Sequence, residues 1–149
     1  MNAQLAENYL FVGPLVMARL TAQLVDLPVE GVEEMAQVVD AQDMRPEVAY
    51  VMWGGDRFDA AELARAGSSA SQRLLQRWIV WLKVRNDSRS TLDARNSDAG
   101  RRLTQIHKAL QGWEPEGALR KLYRIQGPAP DYQTTSGLYP LAFEINLVL

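Results

Sequence analysis

Apolar positions recur along this chain with two periods. A period of two marks residues 77–86, RWIVWLKVRN, where Trp78, Val80, Leu82 and Val84 alternate with Arg77, Ile79, Trp81, Lys83 and Arg85, as side chains do on the two faces of a strand. The stretch also admits a helical reading, because Leu75, Trp78, Ile79 and Leu82 lie three or four apart. Its β-branched and aromatic content and the clean alternation of Lys83 and Arg85 favour strand. One face asks for a core. The other mixes an indole and an isoleucine with cations, and something has to cover it.

The same alternation predicts strands over residues 48–53, 119–126 and 139–149. In the last of these, Tyr139, Leu141, Phe143, Ile145, Leu147 and Leu149 alternate with Pro140, Ala142, Glu144, Asn146 and Val148, the clearest strand pattern in the sequence. A helical period runs through Leu15, Val16, Leu20 and Leu24, with Pro14 suited to the first turn or to a kink in a helix begun near Ala6. A second helix carries Ala99, Leu103, Ile106 and Leu110 on one stripe, with Gly112 as its stop. Between them, residues 29–32 read as a short edge strand and 33–39 as a turn or two of helix, and Gly54-Gly55 are expected to end the 48–53 strand.

Two long connections, residues 56–71 and 127–137, join strands; connections of that length are usually functional or disordered. The element order predicts an α+β fold, a mostly antiparallel sheet with two main helices packed on one face. The Trp81 side is then left open, to be covered by a neighbouring copy or by residues 56–71 of the same chain. A last strand that is apolar to its end also needs a partner.

Composition narrows the function more than the fold. A chain of 149 residues with 47% hydrophobic content is expected to form one domain, residues 1–149, that buries its core without cross-links. A net charge of −2 and a pI near 5.4 give no global electrostatic case for nucleic acid or an anionic membrane. The early run YLFVGPLVMARL is short, broken by Gly13-Pro14 and preceded by Glu7, so neither a signal peptide nor a membrane span is expected. The absence of cysteine removes disulfides, zinc fingers and thiol nucleophiles together.

Candidate chemistry is sparse. His107 is the sole histidine, on the border of the second helix's apolar stripe; a catalytic reading would pair it with Ser90, Ser97 or Thr104. The carboxylate pairs Glu33-Glu34, Asp40 with Asp43, and Asp56 with Asp59 lack the spacing of a calcium loop. WGGD beside Arg57 has the composition of an anion cradle, and Gly-Gly after a strand is more commonly a turn. No catalytic, cofactor or metal site is expected. The features with positive content are the long loops and the open apolar face, and exposed apolar patches most often meet partner proteins.

ENYLFVGPLVMARL, PEVAYVMWGGDRF, LQGWEPEGALRKLYRIQGPAP, PDYQTTSGLYP and LAFEINLVL, in this order, resemble the tail-terminator (tail-completion) proteins of long-tailed phages, over nearly the whole chain. The resemblance implies a non-enzymatic virion protein. It would form a ring, typically sixfold, at the head-proximal end of the tail tube, end tube polymerisation and present the surface that the head or its neck proteins join. The implied partners are further copies of the chain, the tail-tube protein and a neck or head-completion protein. DNA would pass through without sequence-specific contact, no membrane is involved, and assembly would occur in the host bacterial cytoplasm. A head-side connector shares this ring logic. The expected interface residues are Ile79, Trp81, Lys83 and Arg85 on the open strand face, Arg57 and Phe58 in the first long connection, and Pro130 and Tyr132 in the second.

Overall fold

In the computed structural model, which describes residues 2–40, 45–58, 73–86 and 92–148, the elements in chain order are α1 (Ala3–Glu7), α2 (Val12–Gln23), β1 (Val29–Val32), α3 (Met35–Asp40), β2 (Glu47–Phe58), β3 (Arg73–Arg85), α4 (Leu92–Leu110), β4 (Leu122–Ile125), β5 (Asp131–Tyr132) and β6 (Ser136–Val148). The strands form one six-stranded mixed sheet in the order β1-β2-β3-β6-β4, with β5 beside β6. Among the described strands, only β1 and β2 pair in parallel.

The apolar last strand finds its partners inside the fold. β6 runs antiparallel to the full length of β3, from Arg73 opposite Val148 to Arg85 opposite Ser136. Its other side pairs with β4 over residues 142–145 and with β5 over residues 137–138. Pro140 falls in the gap between those two ladders, a position where a strand tolerates a residue that cannot donate.

β2 is longer than its sequence suggests. It passes through Gly54-Gly55 with a register shift between Trp53 and Asp56. Gly55 has φ +89°, a left-handed conformation that glycine adopts without a side-chain penalty, and the extra residues bulge and the strand continues.

The two main helices share one face of the sheet. α2 and α4 bury Val16, Leu20, Ile106 and Leu110 against Trp78, Val80, Leu82, Phe143 and Ile145. α2 comes so close to the sheet that a Cβ on Gly13 would lie 2.6 Å from Cη2 of Trp78. α1 is fastened at the same side: the Asn2 side chain accepts from the N–H groups of Gln4 and Leu5 and donates to the carbonyls of Gly117 and Ala118. A helix begins before Pro14, which sits in the first turn of α2, so α1 and α2 are separate pieces and not one kinked helix.

α3 occupies the opposite face. Val38 and Met35 pack on Val48, Tyr50, Ile79, Trp81, Leu138 and Ala142, a second apolar cluster. Short as it is, this helix decides where the functional surfaces lie.

Candidate protein-interaction surfaces

Three of the eight residues expected at an interface lie inside the fold. Ile79, Trp81 and Lys83 are 6%, 3% and 9% exposed. The open face expected on that side is closed by α3 of the same chain, and Lys83 reaches past it to donate from Nζ to the Val38 carbonyl at 3.0 Å. A lysine alternating with apolar residues reads as a solvated face, yet its stem lies along apolar surface and its head ends on a carbonyl of α3. Residues 59–72, the alternative cover, lie outside the described residues.

The remaining five divide between the two ends of the sheet. Arg57 and Phe58 pair with Leu75 and Leu74 near the start of β3, whereas Arg85 closes β3 and Tyr132 pairs with Gly137 at the start of β6. Pro130 immediately precedes β5. Along β3 the stretch from Leu75 to Arg85, at about 3.3 Å per residue, separates these ends by roughly 33 Å. They form two surfaces, not one.

At the Arg57 end, a fork of Nε and Nη2 meets the Glu144 carboxylate at 3.4 and 2.8 Å. The Arg57 side chain is 65% exposed and that of Glu144 10%, so a sheltered carboxylate is answered by a guanidinium at the surface. Phe58 is exposed beside it. Arg57 is thereby engaged with Glu144, and Asp56 accepts from its own neighbours, so the WGGD stretch is a bulge with its polar groups turned to protein.

At the Arg85 end, residues 127–137 are not a single loop. β5 folds back on β6 through a turn in which the Gln133 N–H donates to the Ser136 carbonyl and the Asn86 N–H to that of Thr135. Tyr132 stays 55% exposed, and its ring meets Tyr139 edge-on at 5.8 Å. Tyr139 in turn donates to Oδ1 of Asn96 on α4 at 2.9 Å. An exposed aromatic is thus held on a braced hairpin, the arrangement that keeps the ordering cost of a contact low.

Sequence reasoning missed a third feature. Tyr9, between α1 and α2, donates its hydroxyl to Oδ2 of Asp56, and Trp53 Nε1 donates to Oδ1 at 3.3 Å. Fully buried Gln76 joins this group to the core, accepting from Trp78 Nε1 at 2.9 Å and donating to the Tyr9 carbonyl at 3.0 Å. Partial burial, then the hydrogen bond and charge of Asp56, push the Tyr9 hydroxyl up to about 12. Beside this network a groove of about 730 Å³ opens between α2 and the β1–β2 edge, lined by Leu10, Met17, Val51, Trp53 and Trp78. The alternation VMW marked Trp53 as a strand residue, and only the bulge after it leaves that indole half out of the core.

Among the described residues His107 has no catalytic partner: its Nδ1 is buried without a bond, the Thr104 hydroxyl is engaged with the Gly100 carbonyl, and Ser90 lies outside the described residues. Among the described residues no cluster of acidic and imidazole side chains is disposed to hold a metal ion, and no helix is long and apolar enough to cross a membrane.

A sheet with helices on both faces and exposed aromatics at its ends suits an assembly subunit, and residues 6–149 match the family model of phage tail terminator proteins. The chain belongs to that family. No curated protein matches it. As a family member it is a structural protein of the phage tail, located in the virion tail and associated with other tail proteins.

Proposed function

We propose that this tail terminator caps the head-proximal end of the tail tube as a ring, stops tube growth and offers the attachment surface for the head or its neck protein. The observation that carries the reading is the separation of exposed contact residues to opposite ends of one braced sheet. A cap between two partners needs two such surfaces, one for the tube and one for the neck. Arg57 and Phe58 serve one, and Arg85, Pro130 and Tyr132 the other. Each copy also meets its ring neighbours through unlike surfaces, because a ring closes by heterologous contacts. With a net charge of −2, the chain supplies no general attraction for the DNA that passes through.

Electron microscopy of particles made without this protein tests the reading. The expected result is overlong tails with no heads attached, together with several copies of the chain per tail in native mass spectrometry of complete particles. Tails of normal length would refute termination. Recovery of the protein on purified tail-less heads would make it a head-side connector instead.

A further inference from the structure

α3 packs on Val48, Tyr50, Ile79, Trp81, Leu138 and Ala142, which is half of its face of the sheet. Towards the Arg57 end the same face continues in two rows, Arg57–Leu75–Asn146 and Arg77–Glu144–Tyr123. Lys121, one residue before β4 and alternating with buried Leu122, extends the first row. Four strands at about 4.8 Å make this surface roughly 14 Å wide. Tyr123 is 56% exposed, Arg57 and Lys121 are exposed, and Leu75 and Arg77 are half-buried. The Arg77 stem lies along Gly54, where a Cβ would come within 2.8 Å of its Cδ.

The charge of this half-face is one-sided. Its one carboxylate among the described residues is Glu144, held by Arg57 at 2.8 Å, so three cations, Arg57, Arg77 and Lys121, stand against one acid on a chain whose net charge is −2. The nearby acids Glu114 and Glu116 belong to the segment that closes the outer side of β4, where Gly112 and Trp113 bond Leu122; Glu116 lies on the helix side, with Gln4, Phe11 and Leu15. Two groups beside Lys121 are unfavourable in the isolated chain. Asn146 Oδ1 is buried with no hydrogen-bond partner among the described residues, in the wall of a cavity of about 350 Å³ that Leu119 and Arg120 also line. Leu119 has φ +60°, a left-handed conformation that strains a leucine, and it is 72% exposed. The Asn2 side chain holds that turn in place through the Gly117 and Ala118 carbonyls. Strain of this kind collects where a surface is used.

We propose that this half-face, with Leu119 at its border, docks an acidic segment of another tail protein, which sets carboxylates on Arg77 and Lys121 and an N–H donor on Asn146. A DNA backbone fits it poorly. Phosphate oxygens only accept hydrogen bonds, so they leave Asn146 Oδ1 unmatched, and the backbone has little apolar surface to set against Leu75, Leu119 and Tyr123. Arginine and tyrosine beside apolar side chains are the composition of a protein interface. The surface includes Arg57 and adjoins Phe58, so its occupant is the partner that the two-ended reading above gives to that end, and not a ring neighbour.

The inference rests on that reading, and two measurements separate them. In the first, complete particles are treated with a carbodiimide, which joins an amine to a carboxylate in contact with it, and the products are mapped by mass spectrometry. Lys121 should be linked to an Asp or Glu of a different tail protein. In the second, Arg77→Glu with Lys121→Glu is supplied to phage lacking the wild-type gene, with circular dichroism of the purified protein as the check on folding and Lys121→Glu alone in its place if the pair does not fold. Like charges face to face should cut infectious yield at least about tenfold. Arg124→Glu, on the same strand but opposite Phe143 on the helix side, should leave it normal. Linkage of Lys121 to a carboxylate of another copy of this chain would make the half-face a ring contact and overturn the proposal. Binding of a short DNA duplex by the wild type that the double variant loses would overturn it in favour of DNA, and normal yield from the double variant would show that the half-face docks nothing. Tails of normal length in particles without the protein would instead refute the cap, while the partner of Lys121 would still be read from the cross-link.

Discussion

At the residue scale, the two tryptophans of β3 have the same standing although they point to opposite faces. Trp78 belongs to the cluster under α2 and Trp81 to the one under α3, so truncation of either to alanine should cost about 3–5 kcal/mol in chemical unfolding of dilute protein. Trp81→Phe should cost less than about 1.5 kcal/mol, because the indole Nε1 has no partner among the described residues and its loss forfeits no bond. Alternation showed which side each ring takes. It did not show that both sides are core, because Lys83 and Arg85 beside Trp81 signal solvent locally, and only the return of α3 reverses that. Tyr9 provides a pH test. Its hydroxyl ionises near the ordinary tyrosine value of about 10 when unfolded and about 12 when folded. The unfolded chain therefore loses the proton first, and stability present below pH ~10 should fall as pH rises through ~12. Thermal melts of Tyr9→Phe across that window should show a shallower decline than the wild type, and parallel declines would remove Tyr9 from the alkaline transition.

At the element scale, long periodic segments were legible and short or irregular ones were not. β3, β6 and α4 repeat their pattern over many residues, and α2 carries Pro14 in its first turn as its sequence predicts. α3 has six residues, too few for a period to assign it a face. Gly54-Gly55 reads as the end of β2 because a bulge and a turn use the same residues; only pairing with β3 distinguishes them. The ion pair between Arg102 on α4 and Glu47 at the start of β2, 2.6 Å long with both side chains 15% exposed, was invisible for the same reason, being 55 residues apart in sequence. It fastens the helix layer to the sheet where β2 begins. Arg102→Ala or Glu47→Ala should each destabilise by about 1–3 kcal/mol, since each leaves a sheltered partner unmatched. The double variant should cost less than the sum of the two. Additive losses in a double-mutant cycle would show that the pair is not coupled.

At the scale of the whole molecule, the candidate sites were legible as residues but not as places. Arg57, Phe58, Arg85 and Tyr132 are legible as residues of loops and strand ends, yet nothing local says that two of them stand roughly 33 Å from the others along β3. That distance makes a prediction about separable function. A rigid sheet joins the two ends, and no single side chain spans them, so a change at one end should disturb one partner. Tyr132→Ala leaves Tyr139 with its bond to Asn96, and Phe58→Ala removes a ring already 42% exposed; both variants should fold with little loss of stability, as surface changes usually do. Complementation of phage lacking the protein should then give two phenotypes. One variant should yield tails of irregular length, its failure being at the tube. The other should yield tails of normal length that do not join heads, its failure being at the neck. The measurement is tail length and fraction of headed particles by electron microscopy. If either variant shows both defects while the other shows none, one end of the sheet serves both partners and the opposite end serves neither.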